Sequence, residues 1–156
     1  MKIELLLIGK TDNPHFAAGI EDYTQRIGHH IPFTITVIPD LKNTRNLSED
    51  QQKMQEGLLI LKRLNPTDFV VLLDERGQQP RSCELAVWIA KKQQTVRKLI
   101  FVVGGPYGFS QEVYQRANDR LSLSRLTFSH QMVRLIFVEQ LYRACTIIKG
   151  EPYHHE

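Results

Sequence analysis

Two stretches of this 156-residue chain combine residue types that can do chemistry. The first is Gly104-Gly105-Pro106-Tyr107-Gly108, directly after the apolar run Leu99 to Val103. It lacks the Gly-x-Gly-x-x-Gly spacing of a dinucleotide loop and the Gly-Lys-Ser/Thr ending of a phosphate cradle, and no lysine is near to meet a phosphate. A glycine pair beside a buried strand lets backbone N–H and C=O groups approach a flat ligand such as adenine. The same pair also suits a tight turn that needs positive φ. The second stretch, Leu121-Ser122-Leu123-Ser124-Arg125-Leu126-Thr127-Phe128-Ser129-His130, sets hydroxyls and a histidine around a strand-to-helix junction. Beyond it, His130 and Arg134 lie one helical turn apart, as do Glu139 and Arg143. An exposed Glu139–Arg143 pair would contribute only ~0.3–0.5 kcal/mol. Standing alone, His130 reads as a helix-start residue and Arg134 as a solvated one. The ending Gly150-Glu151-Pro152-Tyr153-His154-His155-Glu156 is short and aromatic, and termini fray by default.

Other chemistries find no support. His29 and His30 are adjacent, so their side chains diverge. His154 and His155 have only Glu151 and Glu156 close by, and no Cys-x-x-Cys or His-Glu-x-x-His spacing occurs. No metal is expected. Without a Gly-x-Ser-x-Gly elbow, neither is a serine hydrolase. Cys83 and Cys145 sit in helix-like patterns and read as small buried hydrophobes in a reduced, cytoplasmic setting. The longest apolar run, Leu85 to Ala90, holds six residues, against the ~20 of a membrane-spanning helix. The opening Met1 to Ile8 reads as a buried strand and not as a secretion signal. A net charge of +3 permits an anionic partner without demanding one.

The elements that must position these residues alternate. Lys2 to Ile8, Phe33 to Ile38, Phe69 to Leu73 and Lys98 to Val103 read as strands, and Leu123 to Phe128 as a fifth. Between them Phe16, Ile20, Tyr23 and Ile27 recur at helical spacing, and Ser48 with Gln51 forms a capping box before Met54, Leu58, Leu61 and Leu64. Ser82 and Ser110 cap two further helices, and a last helix runs from about His130 to Lys149. The continuous apolar runs indicate strands covered on both faces. The expectation is a single α/β domain over residues 1–156, its largely parallel sheet flanked by helices on both faces. Ligands of such sheets bind beyond the carboxyl ends of the strands, where Leu73-Asp74-Glu75-Arg76-Gly77 and the glycine loop both lie.

Five segments in order, Val102 to Gly108, Leu121 to Ser124, Leu126 to His130, Glu139-Gln140-Leu141-Tyr142-Arg143-Ala144 and Pro152-Tyr153-His154, resemble the RlmH family. These are bacterial SPOUT-class methyltransferases acting on N3 of a pseudouridine in helix 69 of 23S rRNA. The likeness covers the whole chain in length and element order, with its motifs between Leu72 and His154. It implies a C-terminal deep trefoil knot, an exception to the rule that connections do not thread loops. It also implies a homodimer and an S-adenosyl-L-methionine pocket wrapped by Leu73, Gly104, Gly105, Leu123, Ser124, Arg125, Leu126, Thr127 and Phe128. The tail then works across the dimer on the partner's pocket, with His154 holding or deprotonating the base, Tyr153 stacking on or bonding it, and His130 as the second candidate base. Arg125, Arg134 and Arg143 are assigned to RNA contacts and Glu139 to orienting Arg143. The substrate is 23S rRNA in the assembled ribosome. Relatives commonly follow Tyr-His with a basic residue; here His155 stands there, which weakens any terminal grip on phosphate. Two other readings are a non-catalytic ribosome-associated factor that binds RNA or adenosyl ligands, and a small nucleotide-using α/β hydrolase.

Overall fold

The computed structural model describes residues 1–155. Glu156, the last residue of the tail singled out above, lies outside the described residues. In chain order the elements are β1 (Lys2–Ile8), α1 (Pro14–Gly28), β2 (Phe33–Ile38), a 3₁₀ turn (Thr44–Asn46), α2 (Glu49–Lys62), β3 (Phe69–Gln78), α3 (Ser82–Thr95), β4 (Lys98–Val103), α4 (Gln111–Arg116), β5 (Asp119–Leu121) and α5 (Met132–Lys149). The strands form one sheet of order β2-β1-β4-β3-β5, and every pairing is parallel.

Strand side chains alternate between faces, so each apolar run feeds two cores. Ile3, Leu5 and Leu7 of β1 and Leu99, Phe101 and Val103 of β4 pack with Ile20 and Ile27 of α1, Leu85 and Ile89 of α3, and Phe137, Val138 and Leu141 of α5. On the other face Leu6, Ile8, Ile100 and Val102 meet Ile60 of α2 and Val113 of α4. The Ser48–Gln51 capping box opens α2, and Ser110 caps α4 by accepting from Val113 N. At α3 the cap position belongs to Arg81, whose N–H donates to Glu84 Oε2 at 2.6 Å, and Ser82 is the first helical residue.

Residues 123–128 are not a strand. The fifth strand is Asp119–Leu121, paired with Val71–Leu73 at the sheet edge. After it the serines bond locally: Ser122 Oγ donates to Ser124 O at 2.9 Å, and Ser124 Oγ accepts from Leu126 N at 2.9 Å. Such side-chain bonds compete with a ladder and turn the chain out of the sheet. The final helix starts at Met132, two residues later than the spacing predicts. His130 lies in the turn before it, where Ser129 Oγ accepts from Met132 N at 3.1 Å.

Candidate active site

Past the carboxyl end of β4 and alongside the middle of β3 lies a cleft of about 660 Å³, within the ~300–1,000 Å³ common for small-molecule sites. Three segments wall it: Leu73 to Arg76, Gly104 to Phe109, and the loop from Leu121 to His130 with Val133 of α5. Leu73, Gly104, Gly105, Leu123, Ser124, Leu126, Thr127, Phe128 and His130 all line it. Arg125 is the exception. It is exposed and does not line the cleft.

The glycine loop takes its shape from what lies behind it. A Cβ on Gly105 would come within 2.5 Å of both carboxylate oxygens of Glu56, and one on Gly104 within 3.1 Å of the Phe109 ring. The pair therefore allows close packing of the loop on α2 and Phe109. The positive φ that a turn could have required falls on Gly108 (87°) instead. Glu56 is buried, and its Oε1 has no hydrogen-bond partner. Burial, chiefly, pushes its carboxyl above the usual range, with Asp40 adding to the effect.

Asp74 lines the cleft; it belongs to the segment that the sequence sets at the crevice without giving this residue a role. Its Oδ2 accepts from Tyr114 OH at 2.7 Å and its Oδ1 from Arg76 N at 3.1 Å. Burial and then Asp74 push the Tyr114 phenol up to about 12, so this phenol stays a donor. Apolar walls, backbone edges and a carboxylate meet in one cleft, which suits a flat, partly apolar ligand with a polar edge. Leu126 is 75% exposed, Tyr107 45% and Phe128 37%, so the cleft has an open apolar rim. Among the described residues no group of His, Cys, Asp and Glu could hold a metal ion, and no helix is long and apolar enough to cross a membrane.

Arg134 does not face solvent, as an RNA contact would. It is fully buried. Nη2 donates to Ile8 O at 2.7 Å, Nη1 to Gly9 O at 2.9 Å and Thr11 Oγ1 at 3.1 Å, and Nε to His130 O at 3.1 Å. The guanidinium ties the end of β1 to the start of α5, and burial lowers its pKa from the ordinary arginine value.

The tail is docked, not frayed. Gly150, at φ 76°, closes α5: its N–H donates to Ile147 O and that of Glu151 to Thr146 O, a Schellman turn that folds the tail back. Tyr153 OH donates to Glu139 Oε1 at 2.9 Å and lies 3.4 Å from Tyr23 OH. Burial first, then the bonds to Tyr23 and Glu139, raise the Tyr153 phenol above its usual value. Glu139 Oε1 also accepts from Arg143 Nη2 at 2.7 Å, and Arg143 Nη1 lies 3.2 Å from His154 Nδ1. Tyr153, His154, Arg143 and Glu139 thus form one cluster along the middle of α5. Glu139 and Arg143 lie six and ten residues beyond Val133, the α5 residue that lines the cleft, an axial distance of ~9–15 Å.

A family model described as predicted SPOUT methyltransferase matches residues 1–154. The chain belongs to the SPOUT methyltransferase family. Among the curated relatives it resembles, the ribosomal RNA large subunit methyltransferase H of Parabacteroides distasonis is 57% identical over the full length of both chains. The protein of the same name from Bacteroides thetaiotaomicron is 58% identical over the same span. That of Christiangramia forsetii is 57% identical over 99% of each chain. In this SPOUT domain the glycine loop and the serine-rich loop face each other across the cleft, and the C-terminal cluster stands apart from both.

Proposed function

We propose that this chain is an S-adenosyl-L-methionine-dependent methyltransferase acting, as a homodimer, on N3 of a pseudouridine in helix 69 of 23S rRNA in the assembled, cytoplasmic ribosome. The cleft carries the reading: a glycine loop and a serine-rich loop close on one space beyond the sheet, in a chain whose relatives are named as large-subunit rRNA methyltransferases. The trefoil knot of SPOUT enzymes would bring these same segments together, and its threading belongs to this proposal.

The sulfonium ligand supplies an electrophilic methyl group whose transfer needs no metal and no enzyme nucleophile. The chain's own work is alignment, worth ~7–11 kcal/mol of barrier when reactants are held near attack geometry. Leu73, Leu123, Leu126 and Phe128 would hold the adenine, and the backbone at Gly104 and Gly105 would bond its edge. His130 stands at the rim of the same cleft. The tail cluster does not line the cleft of its own chain. A two-fold partner with its α5 antiparallel would bring one tail to the other's cleft, which an isologous interface allows. The exposed rim of Leu126 and Phe128 suits such a covering. Arg125, exposed, remains an arginine proposed for RNA phosphate; both Nη atoms of Arg143 are engaged within the tail cluster, so its proposed role is there.

Calorimetry with S-adenosylmethionine should give binding that survives chelator treatment. Labelled cofactor with 70S ribosomes should then give methyl transfer exceeding that to naked rRNA. Deleting residues 151–156 should leave cofactor binding intact and lower transfer by at least ~10². Unchanged turnover in the deleted protein would end the role of the tail; no binding of the cofactor would end the whole reading.

A further inference from the structure

The contact between Arg143 and His154 decides what the histidine can do. A guanidinium carries N–H donors only and keeps its charge in proteins. Arg143 Nη1, 3.2 Å from His154 Nδ1, must therefore donate, and Nδ1 must accept. A neutral imidazole accepting at Nδ1 bears its hydrogen on Nε2. Arg143 cannot swing away cheaply, because Glu139 Oε1 holds its other arm at 2.7 Å, and the same oxygen is fixed by Tyr153 OH. An independent observation points outward: His154 Nε2 is buried and has no hydrogen-bond partner. A buried N–H donor without an acceptor is unfavourable, so an acceptor from outside the chain would complete the cluster.

We propose that Arg143, braced by Glu139, is a positioning residue that fixes His154 as the Nε2–H tautomer, so that the tail offers a hydrogen-bond donor to a carbonyl oxygen beside the reacting nitrogen of a uracil-type ring. This rests on the reading of the tail given above and narrows it from a base to a donor. With Nδ1 engaged and Nε2 already protonated, His154 has no free lone pair to take the N3 proton. Donation to the adjacent carbonyl stabilises the negative charge left on the ring when N3 ionises. The N3–H bond breaks with its proton passing to solvent, the nitrogen lone pair forms the N–C bond to the methyl group, and the C–S electron pair returns to sulfur. The charged and titratable groups of this corner are Arg143, Glu139 and Tyr142 on α5, Glu151 and Tyr153 on the tail, and Tyr23, Arg26 and His30 from α1 and the turn after it.

The first test needs no variant. Long-range proton–nitrogen NMR on the ¹⁵N-labelled full-length protein should show the His154 ring protonated at Nε2 and bare at Nδ1, and Arg143→Met should turn this into a mixture of tautomers. The second is single-turnover transfer from S-adenosylmethionine to 70S ribosomes. His154→Gln, which keeps an N–H donor but cannot act as a base, should stay within ~10-fold of wild type, while His154→Ala falls by ~10²–10³. The wild-type rate should keep rising tenfold per pH unit above the imidazole range near ~6.5. A ring protonated at Nδ1 overturns the tautomer assignment. A rate that levels off just above that range, with His154→Gln as poor as His154→Ala, restores the base and overturns the donor. An alanine variant at wild-type rate removes the tail reading along with the donor role, even where the NMR tautomer is as expected.

Discussion

Gly105→Ala should loosen the cleft proposed for the cofactor by a route that never touches the ligand. The added Cβ would lie 2.5 Å from both carboxylate oxygens of Glu56 and 2.8 Å from its Cδ, roughly 1 Å inside the ordinary carbon contact distance of ~3.5–4.0 Å. Glu56 is only 4% exposed, so it cannot swing into solvent; the loop must move instead. Overpacking of this kind costs about 1–3 kcal/mol. If the displacement is felt wholly at the cleft, binding weakens by ~5–150-fold, at 1.4 kcal/mol per tenfold. Calorimetric titration with S-adenosylmethionine reads that change, and thermal unfolding reads the part absorbed by the fold. Glu56→Ala removes the obstruction, so the double variant should bind better than Gly105→Ala alone, giving a favourable coupling in the cycle. An alanine at position 105 with wild-type affinity and stability, or a double variant as weak as the single one, refutes the reasoning.

Two further outcomes follow from buried charge. Arg134→Met leaves the carbonyls of Ile8, Gly9 and His130 without their donor; breaking such a buried arrangement costs ~3–5 kcal/mol. At ~2–4 °C per kcal/mol for a chain of this size, Tm should fall by ~6–20 °C in calorimetry. The salt dependence of RNA binding should not change; an unaltered Tm with a shallower salt slope would return Arg134 to the RNA surface. Burial raises the folded-state pKa of Glu56 above the ordinary carboxyl value of 4.5. The stability it contributes is therefore fully present below about pH 4.5 and lost as pH rises through the folded value. Glu56→Gln removes that loss. It should have a higher Tm than wild type at pH 7 and the same Tm near pH 4, and a gain that persists in acid would count against a charged, desolvated carboxyl.

The sheet was legible because burial on both faces demands continuous apolar runs. Lys2–Ile8, Phe33–Ile38 and Lys98–Val103 stand where the pattern places them. Leu123 to Phe128 misled for the same reason turned around. Leu123, Leu126 and Phe128 are apolar because they line the cleft, not because they pair in a sheet, and pattern alone cannot separate those two uses. The true edge strand, Asp-Arg-Leu, carries no such signal, since three residues held by backbone bonds to Val71–Leu73 need no apolar side chains. Asp74 follows the apolar run Phe69 to Leu73, which the sequence ended as a strand there, whereas β3 continues to Gln78 and carries Asp74 along the cleft.

By itself the sequence determined the alternation of strands and helices, the two-faced core, and the crevice shared by the Leu73–Gly77 segment and the glycine loop, because periodicity and the parallel-sheet rule act on residues close in the chain. Tertiary structure alone decided where the polar groups of α5 point. Arg134 and Arg143 are both arginines one turn from a partner in the sequence, yet one is sealed beneath the end of β1 and the other grips the tail. Their surroundings come from residues more than a hundred positions away or from a terminus folded back, and helical spacing carries no record of either.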